Sequence, residues 1–591
     1  MAGKKRQIIA YGAKIILAFA TMLAFAHISH FGITGIDFLL PCVFALCLIV
    51  YIKAGSIVLS KDKWKAKTGI ISLVLGFICG IAATVGSCID METRTFTSFS
   101  AIDIFCMIIL IPFFAAAFVI LFFSSDVHTL TQEHEIKKGS CYKRFFIYMA
   151  VMLICWLPYY LTYFPGGVGN DDFECARMCL GIIPWTNHNP IFYIFLMNLF
   201  FKVTGYNLTA SFGIMAFIQM LMLSATLGLL LIWLYRKNIS GVFLLVSLAF
   251  FSLHPIVAIY SIYVTKDIMF SCVVILETLF LLDLSTLLYR KDDTDIPKKI
   301  WVILGILSLL TIITRNNGIF MIAFLAVGTV ISAKKFRKEL IITFLAVFLL
   351  NGIYKGPVWK MCGVSKQSFA ESASIPLSQV AYTICNDGKI TGEDRVYLEE
   401  LMPFDKVKEE YEPGYTDSYK FSDSFDKELL DSDPGKFMKT WLHLLPGNFK
   451  DYVEVYLMQT SGYWHYGITN TVATQGVEEN ELGIEGHDLI DKTMGFSLDG
   501  LMTELILVAR KLPVLCMLSQ MAIEILAVIL AVINCVRKNR KAAVIAFVPL
   551  LALWISVMIA TPAYCLFRYL CPIFFMWPML ISAFFANEAM E

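Results

Sequence analysis

Charged residues are scarce in this chain. Only 16% of its 591 residues are Asp, Glu, Lys or Arg, whereas a soluble domain averages about 25%. Hydrophobic residues make up 58%, and the mean hydropathy is +0.70. This composition excludes an ordinary water-soluble enzyme and predicts a protein that is dissolved in lipid.

Several functional signatures are also missing from the sequence. The 16 cysteines lie mostly in apolar runs and form no Cys-x-x-Cys pair, so we predict neither a disulfide framework nor a zinc site. The formal net charge is only +1, and no basic stripe is visible. We therefore expect no nucleic-acid partner.

Long apolar runs dominate what is present. Runs of roughly 17–25 residues indicate membrane-spanning helices. The sequence predicts fourteen of them, at about 8–28, 37–53, 68–88, 101–123, 144–163, 210–235, 241–259, 265–288, 300–314, 318–334, 338–354, 512–536, 541–560 and 569–587. One further run, 191–203, is short for a span, and we expect it to lie along the membrane surface.

The distribution of Lys and Arg predicts how these helices are oriented. When residues 191–203 do not cross, every basic loop, from "MAGKKRQ" to "VRKNRK", falls on one side of the membrane. Basic loops are retained in the cytoplasm. Both termini are therefore predicted to be cytoplasmic, and residues 164–209 are predicted to lie on the outer face.

The same reasoning gives a domain organisation for an all-α polytopic membrane protein. Residues 1–140 form an N-terminal four-helix addition, and residues 141–354 form a transmembrane core with the outer loop 164–209. Residues 355–505 are polar and acidic, long enough for one small extracytoplasmic domain. Residues 506–591 contain the C-terminal transmembrane helices.

Four short polar stretches are predicted to meet on the outer face. Charged groups at membrane depth are costly and usually line a cavity or pair with one another. Guanidinium and ammonium groups bind phosphate, and a carboxylate can act as a base. The combination predicts a site for an anionic lipid headgroup, with these candidates: Asp171, Asp172 and His188 in "YFPGGVGNDDFECARMCLGIIPWTNHNPIF", His254, Lys266 and Asp267 in "SLHPIVAIYSIYVTKDIMF", Arg315, Asn316 and Asn317 in "TRNNG", and Arg568 in "TPAYCLFRYLCP".

Each candidate also has a structural interpretation. Asp171 followed by Glu174 fits a capping box, in which Asp171 caps a helix that starts near Asp172. Lys266, Arg315 and Arg568 could be interfacial anchors whose stems lie in lipid while the charge reaches water. His254 beside a proline fits a helix-terminus residue.

The order of these features resembles the GT-C superfamily of membrane glycosyltransferases, which includes protein O-mannosyltransferases and lipid A aminoarabinose transferases. The resemblance covers roughly residues 144–587 and rests on a first core helix, an acidic juxtamembrane helix ("DDFECARMCLGI") and a Pro-containing surface helix ("HNPIFYIFLMNLFFKVTG"). The pattern "PGGVGNDD…NHNP…TKD…TRNNG…ESASIPLSQ…SGYW" is similar to an uncharacterised branch common in Gram-positive bacteria. Asp172 stands where that branch usually has Ser. The sequence also has Asp-Asp where the aminoarabinose enzymes have Asp-Glu, which leaves the base open between Asp171 and Asp172.

The resemblance implies an inverting enzyme in the bacterial plasma membrane with its active site facing outside. A polyprenyl-phosphate-linked sugar would be the donor, and a cell-wall glycan, a lipid or a protein the acceptor. Asp171 and Asp172 would be catalytic, Lys266, Arg315 and Arg568 would bind donor phosphate, and His188, Asp267, Asn316 and Trp464 would contact substrate. Metal dependence stays open, because some members use a divalent ion and others do not.

Two other functions fit the same sequence. Fourteen spans would also suit a transporter or flippase for a lipid-linked or anionic solute, but such a protein should show repeated halves and polar residues near mid-membrane. The deep acids Glu277, Asp283 and Glu524 are few, and no repeat is visible. A catalytically inactive scaffold that binds wall polymer is the third interpretation.

Overall fold

The computed structural model describes residues 2–28, 39–60, 66–132, 139–289, 295–468 and 470–586. Of residues 2–8, 39, 513 and 514, only the backbone is described. Within these residues the fold is helical, with one short antiparallel strand pair, β1 (Ile89–Asp90) and β2 (Thr95–Phe96).

In chain order the α-helices are α1 (Ala2–His27), α2 (Leu39–Leu59), α3 (Ala66–Ser87), α4 (Ala101–Val127), α5 (Ser140–Thr162), α6 (Asn170–Cys179), α7 (Ile191–Val203), α8 (Leu208–Arg236), α9 (Gly241–Leu253), α10 (Pro255–Ile262), α11 (Lys266–Leu288), α12 (Lys298–Thr314), α13 (Gly318–Ser332), α14 (Arg337–Ile353), α15 (Trp359–Met361), α16 (Ser374–Cys385), α17 (Gly392–Leu401), α18 (Phe404–Glu410), α19 (Asp417–Lys420), α20 (Lys427–Ser432), α21 (Pro434–Leu444), α22 (Phe449–Thr460), α23 (Leu489–Met494), α24 (Asp499–Lys511), α25 (Pro513–Leu518), α26 (Met521–Arg537), α27 (Val548–Ala560), α28 (Cys571–Phe575) and α29 (Trp577–Phe585).

Nine apolar helical segments among the described residues are long enough to cross a membrane, or ten when the bent pair α9–α10 counts as one span. The protein is therefore all-α, with the helices of a multi-pass membrane protein. Four of the fourteen predicted spans are not among these ten. Helices α12 and α13 have 17 and 15 residues, and the runs 512–536 and 569–587 are interrupted between α25 and α26 and between α28 and α29. Fourteen remains a prediction.

The bend between α9 and α10 has a local cause. Proline lacks an N–H and restricts the residue before it to extended conformations. His254 precedes Pro255 with φ −71° and ψ 120°, so α9 ends there and α10 starts at an angle of 56°. The ring of His254 accepts a hydrogen bond from the backbone N–H of Ile256, which makes it the cap that the sequence suggested.

The described chain separates into two compact units. The first contains Met1–Thr129, Ser372–Thr469 and Ala560–Cys565. It combines helices α1–α4 with most of the polar segment that was predicted to be a separate domain. The loop between α3 and α4 contacts that segment, because Arg94 forms an ion pair with Glu412. Both partners lie on the outer side in the predicted topology, so the contact agrees with it.

The second unit contains Leu130–Glu371, Asn470–Ile559 and Leu566–Glu591. The predicted 355–505 domain is thus divided between the two units. In this second unit the hydroxyl of Tyr160, near the end of α5, donates to the carbonyl of Gly213, in the second turn of α8, at 3.0 Å. The chain therefore returns to the same end of the unit between α5 and α8. Helix α7 has 13 residues, which is short for a span, and its position along the membrane surface remains a prediction.

Candidate functional site

One carboxylate oxygen of Asp171 lies between two cations. Its Oδ2 is 2.7 Å from the ammonium of Lys266 and 3.0 Å from the guanidinium of Arg568. Helix α6 supplies the acid, α11 supplies Lys266, and the short turn 567–569 supplies Arg568. Three segments that are far apart in the sequence therefore meet at one charged cluster, as the sequence predicted.

Glycines bring the start of α6 into this position. Gly167 accepts a backbone hydrogen bond from Val264 and donates one to Ile262. The side chain of Tyr263 lies so close that a Cβ at Gly167 would fall well inside 3.0 Å of its ring, and a Cβ at Gly169 would fall equally close to its phenol oxygen. The loop before α6 can therefore pass the segment before α11 only because these side chains are absent.

The capping interpretation of Asp171 is wrong. Helix α6 starts at Asn170, with Gly169 as its N-cap and no side-chain cap hydrogen bond. Asp171 lies in the first turn, and the contacts of its Oδ2 are with Lys266 and Arg568. The sequence suggested a helix start near Asp172, and the helix begins two residues earlier, at Asn170.

Gln219 of α8 fixes the start of α11. Its Oε1 accepts a hydrogen bond from the backbone N–H of Thr265 at 3.2 Å. Its Nε2 donates to the carbonyl of Tyr263 at 2.7 Å and lies 3.2 Å from that of Tyr260. One buried amide thus joins α8, the end of α10 and the residue that precedes Lys266.

Arg315 has different surroundings from the other two cations. Its guanidinium is 3.1 Å from the carboxylate of Asp267 and donates to the carbonyl of Tyr569 at 3.2 Å. The side chains of Arg315 and Asp267 are 9% and 1% exposed. Arg315 also lies against the rings of Phe270 and Tyr569. It is a buried, paired group rather than an interfacial anchor, and it holds the residue next to Arg568.

Asp172 points to a different partner from its neighbour. Its Oδ1 accepts a hydrogen bond from the hydroxyl of Tyr193 on α7 at 2.7 Å, and the residue is 3% exposed. Successive residues on a helix point about 100° apart, so Asp171 and Asp172 separate into a charged cluster and a buried acid–phenol pair.

The two carboxyl groups have opposite pKa shifts. Burial alone would raise the pKa of Asp171, but the positive charges of Arg568 and Lys266 outweigh it and hold that pKa well below its usual range. Burial raises the pKa of Asp172 to about 7, with a smaller contribution from the Asp171 charge, although the Tyr193 hydrogen bond acts in the opposite direction. Paired acids whose environments separate their pKa values are typical of catalytic sites.

His188 and Asn316 belong to the same unit and lie beside this cluster. The ring of His188 is 3.8 Å from the carboxylate of Glu174 and 3.6 Å from that of Glu371. The side chain of Asn316 donates to the backbone carbonyls of Asn187 and His188 at 3.1 and 3.3 Å. The structure therefore brings the predicted residues of "NHNP" and "TRNNG" together, with Asn316 in contact with backbone.

Trp464 lies in the other compact unit. Its indole N–H donates to the hydroxyl of Thr460 at 3.1 Å, one turn earlier in the chain. That contact gives the indole a local role in packing, and its predicted contact with a sugar remains a prediction.

The residues around Asp171 do not fit a metal ion. Within the described ranges no three His, Cys, Asp or Glu side chains are placed together as metal ligands. Asp171 contacts two cations, whereas a divalent ion requires converging anionic or neutral ligands. Cys175, one turn further along α6, is buried in an apolar cluster.

Sequence reasoning missed four contributors to this region. Asn189 bridges the cluster, because its Oδ1 contacts the ammonium of Lys266 while its Nδ2 donates to Glu174. Tyr193 donates a hydrogen bond to Asp172, and Gln219 holds the start of α11. Glu478 accepts a hydrogen bond from Tyr263. Gln219 could have been found, since it is the one amide side chain in the long apolar helix α8. Tyr193 gives no such signal in a helix rich in aromatic residues.

Comparison with known proteins gives one result. A protein-family model described as a family of unknown function, DUF6020, matches residues 185–591. The matched part includes Asn189, Lys266, Arg315 and Arg568 but begins after Asp171 and Asp172. No curated protein and no solved structure matches. Because the family model covers more than half of the sequence, the chain belongs to the DUF6020 family.

Proposed function

We propose that this protein is an inverting glycosyltransferase of the bacterial plasma membrane, which transfers a sugar from a polyprenyl-phosphate-linked donor to an acceptor outside the cell. The observation that carries this proposal is the position of Asp171 between Lys266 and Arg568. A base and two phosphate-binding cations are the groups that such a transfer requires, and they meet at the ends of apolar helices.

Lys266 and Arg568 are the proposed phosphate ligands. Their side chains are 14% and 28% exposed, whereas Arg315 is nearly buried and contacts Asp267, the Tyr569 carbonyl and two rings. Arg315 is therefore proposed to position the turn that carries Arg568 rather than to bind donor itself. Asp267 acts through Arg315 in the same way.

The proposed step needs no cofactor. The acceptor hydroxyl oxygen forms a bond to the anomeric carbon from the face opposite the phosphate, and the bond from that carbon to the phosphate oxygen breaks. The electron pair leaves with the polyprenyl phosphate, whose charge Lys266 and Arg568 stabilise. The hydroxyl proton passes to the carboxylate of Asp171, a contribution of about 10²–10⁴ in rate.

Asp172 is proposed to support this arrangement. Its hydrogen bond with Tyr193 joins the first turn of α6 to α7, so it fixes the direction in which Asp171 points. The acceptor class is a cell-wall glycan, a lipid or a protein, and His188 and Asn316 border the place that it would occupy.

The transporter alternative depends on deep acids, and one of these acids has a structural role. The carboxylate of Glu277 in α11 accepts hydrogen bonds from Ser308 at 3.0 Å and Thr311 at 2.6 Å on α12. Each carboxylate oxygen of Glu277 thus accepts one hydrogen bond from α12, so this acid joins two helices. Transporter sites, by contrast, usually lie near the bilayer midplane at unwound helices.

Glycan and lipid profiling of a strain that lacks the protein tests this function. We expect a surface glycan, lipid or protein to lose one sugar while its polyprenyl-phosphate-linked donor accumulates. Asp171→Asn should fail to restore that sugar, because Asn cannot accept the proton, although it is compatible with the first turn of α6. Glu485→Gln, which changes an exposed acid of the same unit, should restore it. Accumulation of a complete lipid-linked glycan would instead identify a transporter, and full rescue by Asp171→Asn would refute the proposed base.

A further inference from the structure

The two proposed phosphate ligands are already engaged by a carboxylate of the protein. Oδ2 of Asp171 takes a contact from each of Lys266 and Arg568, so the position where a phosphate oxygen would meet both cations is filled. A carboxylate oxygen and a phosphate oxygen accept the same charge-assisted hydrogen bonds. An arriving phosphate must therefore compete with Asp171.

The two cations differ in how firmly they are held. Lys266 is the first residue of α11, and its ammonium also contacts Oδ1 of Asn189, which Glu174 orients. Arg568 lies in a short turn, and its guanidinium is held by Asp171 and the face of Tyr569, 5.8 Å from the ring centre. Arg568 is also the more exposed cation. Of the two cations, Arg568 can therefore move from the carboxylate to a phosphate with fewer contacts broken.

We infer that donor binding proceeds by exchange of ion-pair partners: the donor phosphate takes Arg568, and in part Lys266, away from Asp171, and this release exposes the carboxylate that serves as base. The inference rests on the proposed function and adds regulation to the same site. Without donor, Asp171 is neutralised by two cations and is a weak proton acceptor. With donor bound, the cations face phosphate and Asp171 regains its basicity.

The exchange predicts an unusual sign for a catalytic substitution. Removing the charge of Asp171 removes the competitor, so Asp171→Asn should bind an anionic lipid phosphate more tightly than the wild-type protein does. An ion pair of limited exposure contributes about 1 kcal/mol, which corresponds to roughly a fivefold lower Kd. If Asp171 served as a base without competing, the affinity would not change.

Farnesyl phosphate in detergent is a suitable probe, with farnesol as its uncharged counterpart and inorganic phosphate to separate lipid from free anion. Kd would be measured by ligand-dependent thermal unfolding on the full-length protein. We expect Asp171→Asn and Asp171→Ala to bind farnesyl phosphate about fivefold more tightly than the wild-type protein does, with the affinity for farnesol unchanged. Adding Arg568→Ala to either variant should abolish this gain in affinity. Saturation by inorganic phosphate with equal affinity would show that a free anion, rather than a lipid phosphate, is the ligand and would overturn the donor assignment.

A matched control removes a negative charge of the same unit that touches neither cation nor the residues that hold them. Glu485→Gln, at an exposed acid, should change the Kd by less than about twofold. Equal tightening by Glu485→Gln would attribute the effect to general electrostatics and refute the exchange. Unchanged affinity in both Asp171 variants would also refute it, even if sugar transfer were lost, and the proposed function would then stand. Tighter binding with normal transfer would instead support the exchange and remove the role of Asp171 as base.

Discussion

Gly169→Ala is the sharpest steric test of how the site is built. A Cβ at residue 169 would lie well inside 3.0 Å of the phenol oxygen of Tyr263, 3.1 Å from a carboxylate oxygen of Glu478 and 3.3 Å from Cζ of Tyr263. The backbone of Gly169, at φ −120° and ψ −177°, suits any residue. The penalty therefore comes from the phenol oxygen and not from backbone strain.

The expected magnitude follows from what can move. The ring of Tyr263 is confined by Gly167, where a Cβ would also meet it, so it cannot simply tilt away. Overpacking of this kind costs about 1–3 kcal/mol. Tyr263→Phe removes the offending oxygen and leaves contacts of 3.1 and 3.3 Å, which require shifts of only a few tenths of an ångström.

Thermal unfolding of the purified protein measures this effect. Gly169→Ala should unfold at a lower temperature than the wild-type protein, and adding Tyr263→Phe should recover most of the loss. Tyr263→Phe alone should cost about 0.5–1.5 kcal/mol, because its hydrogen bond to Glu478 is lost. Gly500→Ala, at an exposed helical glycine with nothing within 4 Å of its added Cβ, is the control. If Gly169→Ala behaved like Gly500→Ala, or if Tyr263→Phe gave no rescue, the described packing would be refuted.

Three further predictions follow from the same contacts. Arg315→Ala should destabilise the protein by about 3–5 kcal/mol, because it leaves the buried charge of Asp267 unpaired. A double-mutant cycle with Asp267→Ala should show strong coupling between the two residues, and additive effects would contradict the ion pair. The pKa of Asp172 is about 7 in the folded protein and lower in the unfolded chain, so between these values the folded state binds one proton more. The stability that this proton contributes should be lost as pH rises from about 4 to 7. Asp172→Asn should flatten the pH dependence of the free energy of unfolding across that range, and an unchanged slope would contradict the raised pKa. Finally, cysteine labelling of intact cells, with native thiols replaced, should reach a probe in 186–190 but not one in 290–298, and labelling of the latter would contradict the predicted orientation.

The sequence predicted which polar stretches come together better than it predicted the lengths of the helices. Lys266, Arg315 and Arg568 could be placed on one face because loops alternate across a membrane and basic loops mark one side. That argument needs only the parity of the spans, and the outer face of these residues remains a prediction. Apolar runs alone do not show where Pro513, Pro572 and Pro578 begin new helical segments.

Local contacts were less accessible to sequence reasoning. The need for glycine at 167 and 169 comes from the side chain of Tyr263, which is distant in the sequence. Nothing in the pattern could separate Arg315 from Arg568, since both are single cations between apolar runs. Only the positions of Asp267 and Asp171 show that one cation is buried in a pair and the other remains accessible.

The amide of Gln219 has a consequence for how the cluster behaves over time. The first N–H groups of a helix lack intrahelical partners, which makes a helix start prone to fraying. At α11 the N–H of Thr265 is held by Gln219, a residue in the middle of another long helix. The helix start that carries Lys266 is therefore tied to the middle of a long helix, which opposes fraying there and restricts the positions that its ammonium can take.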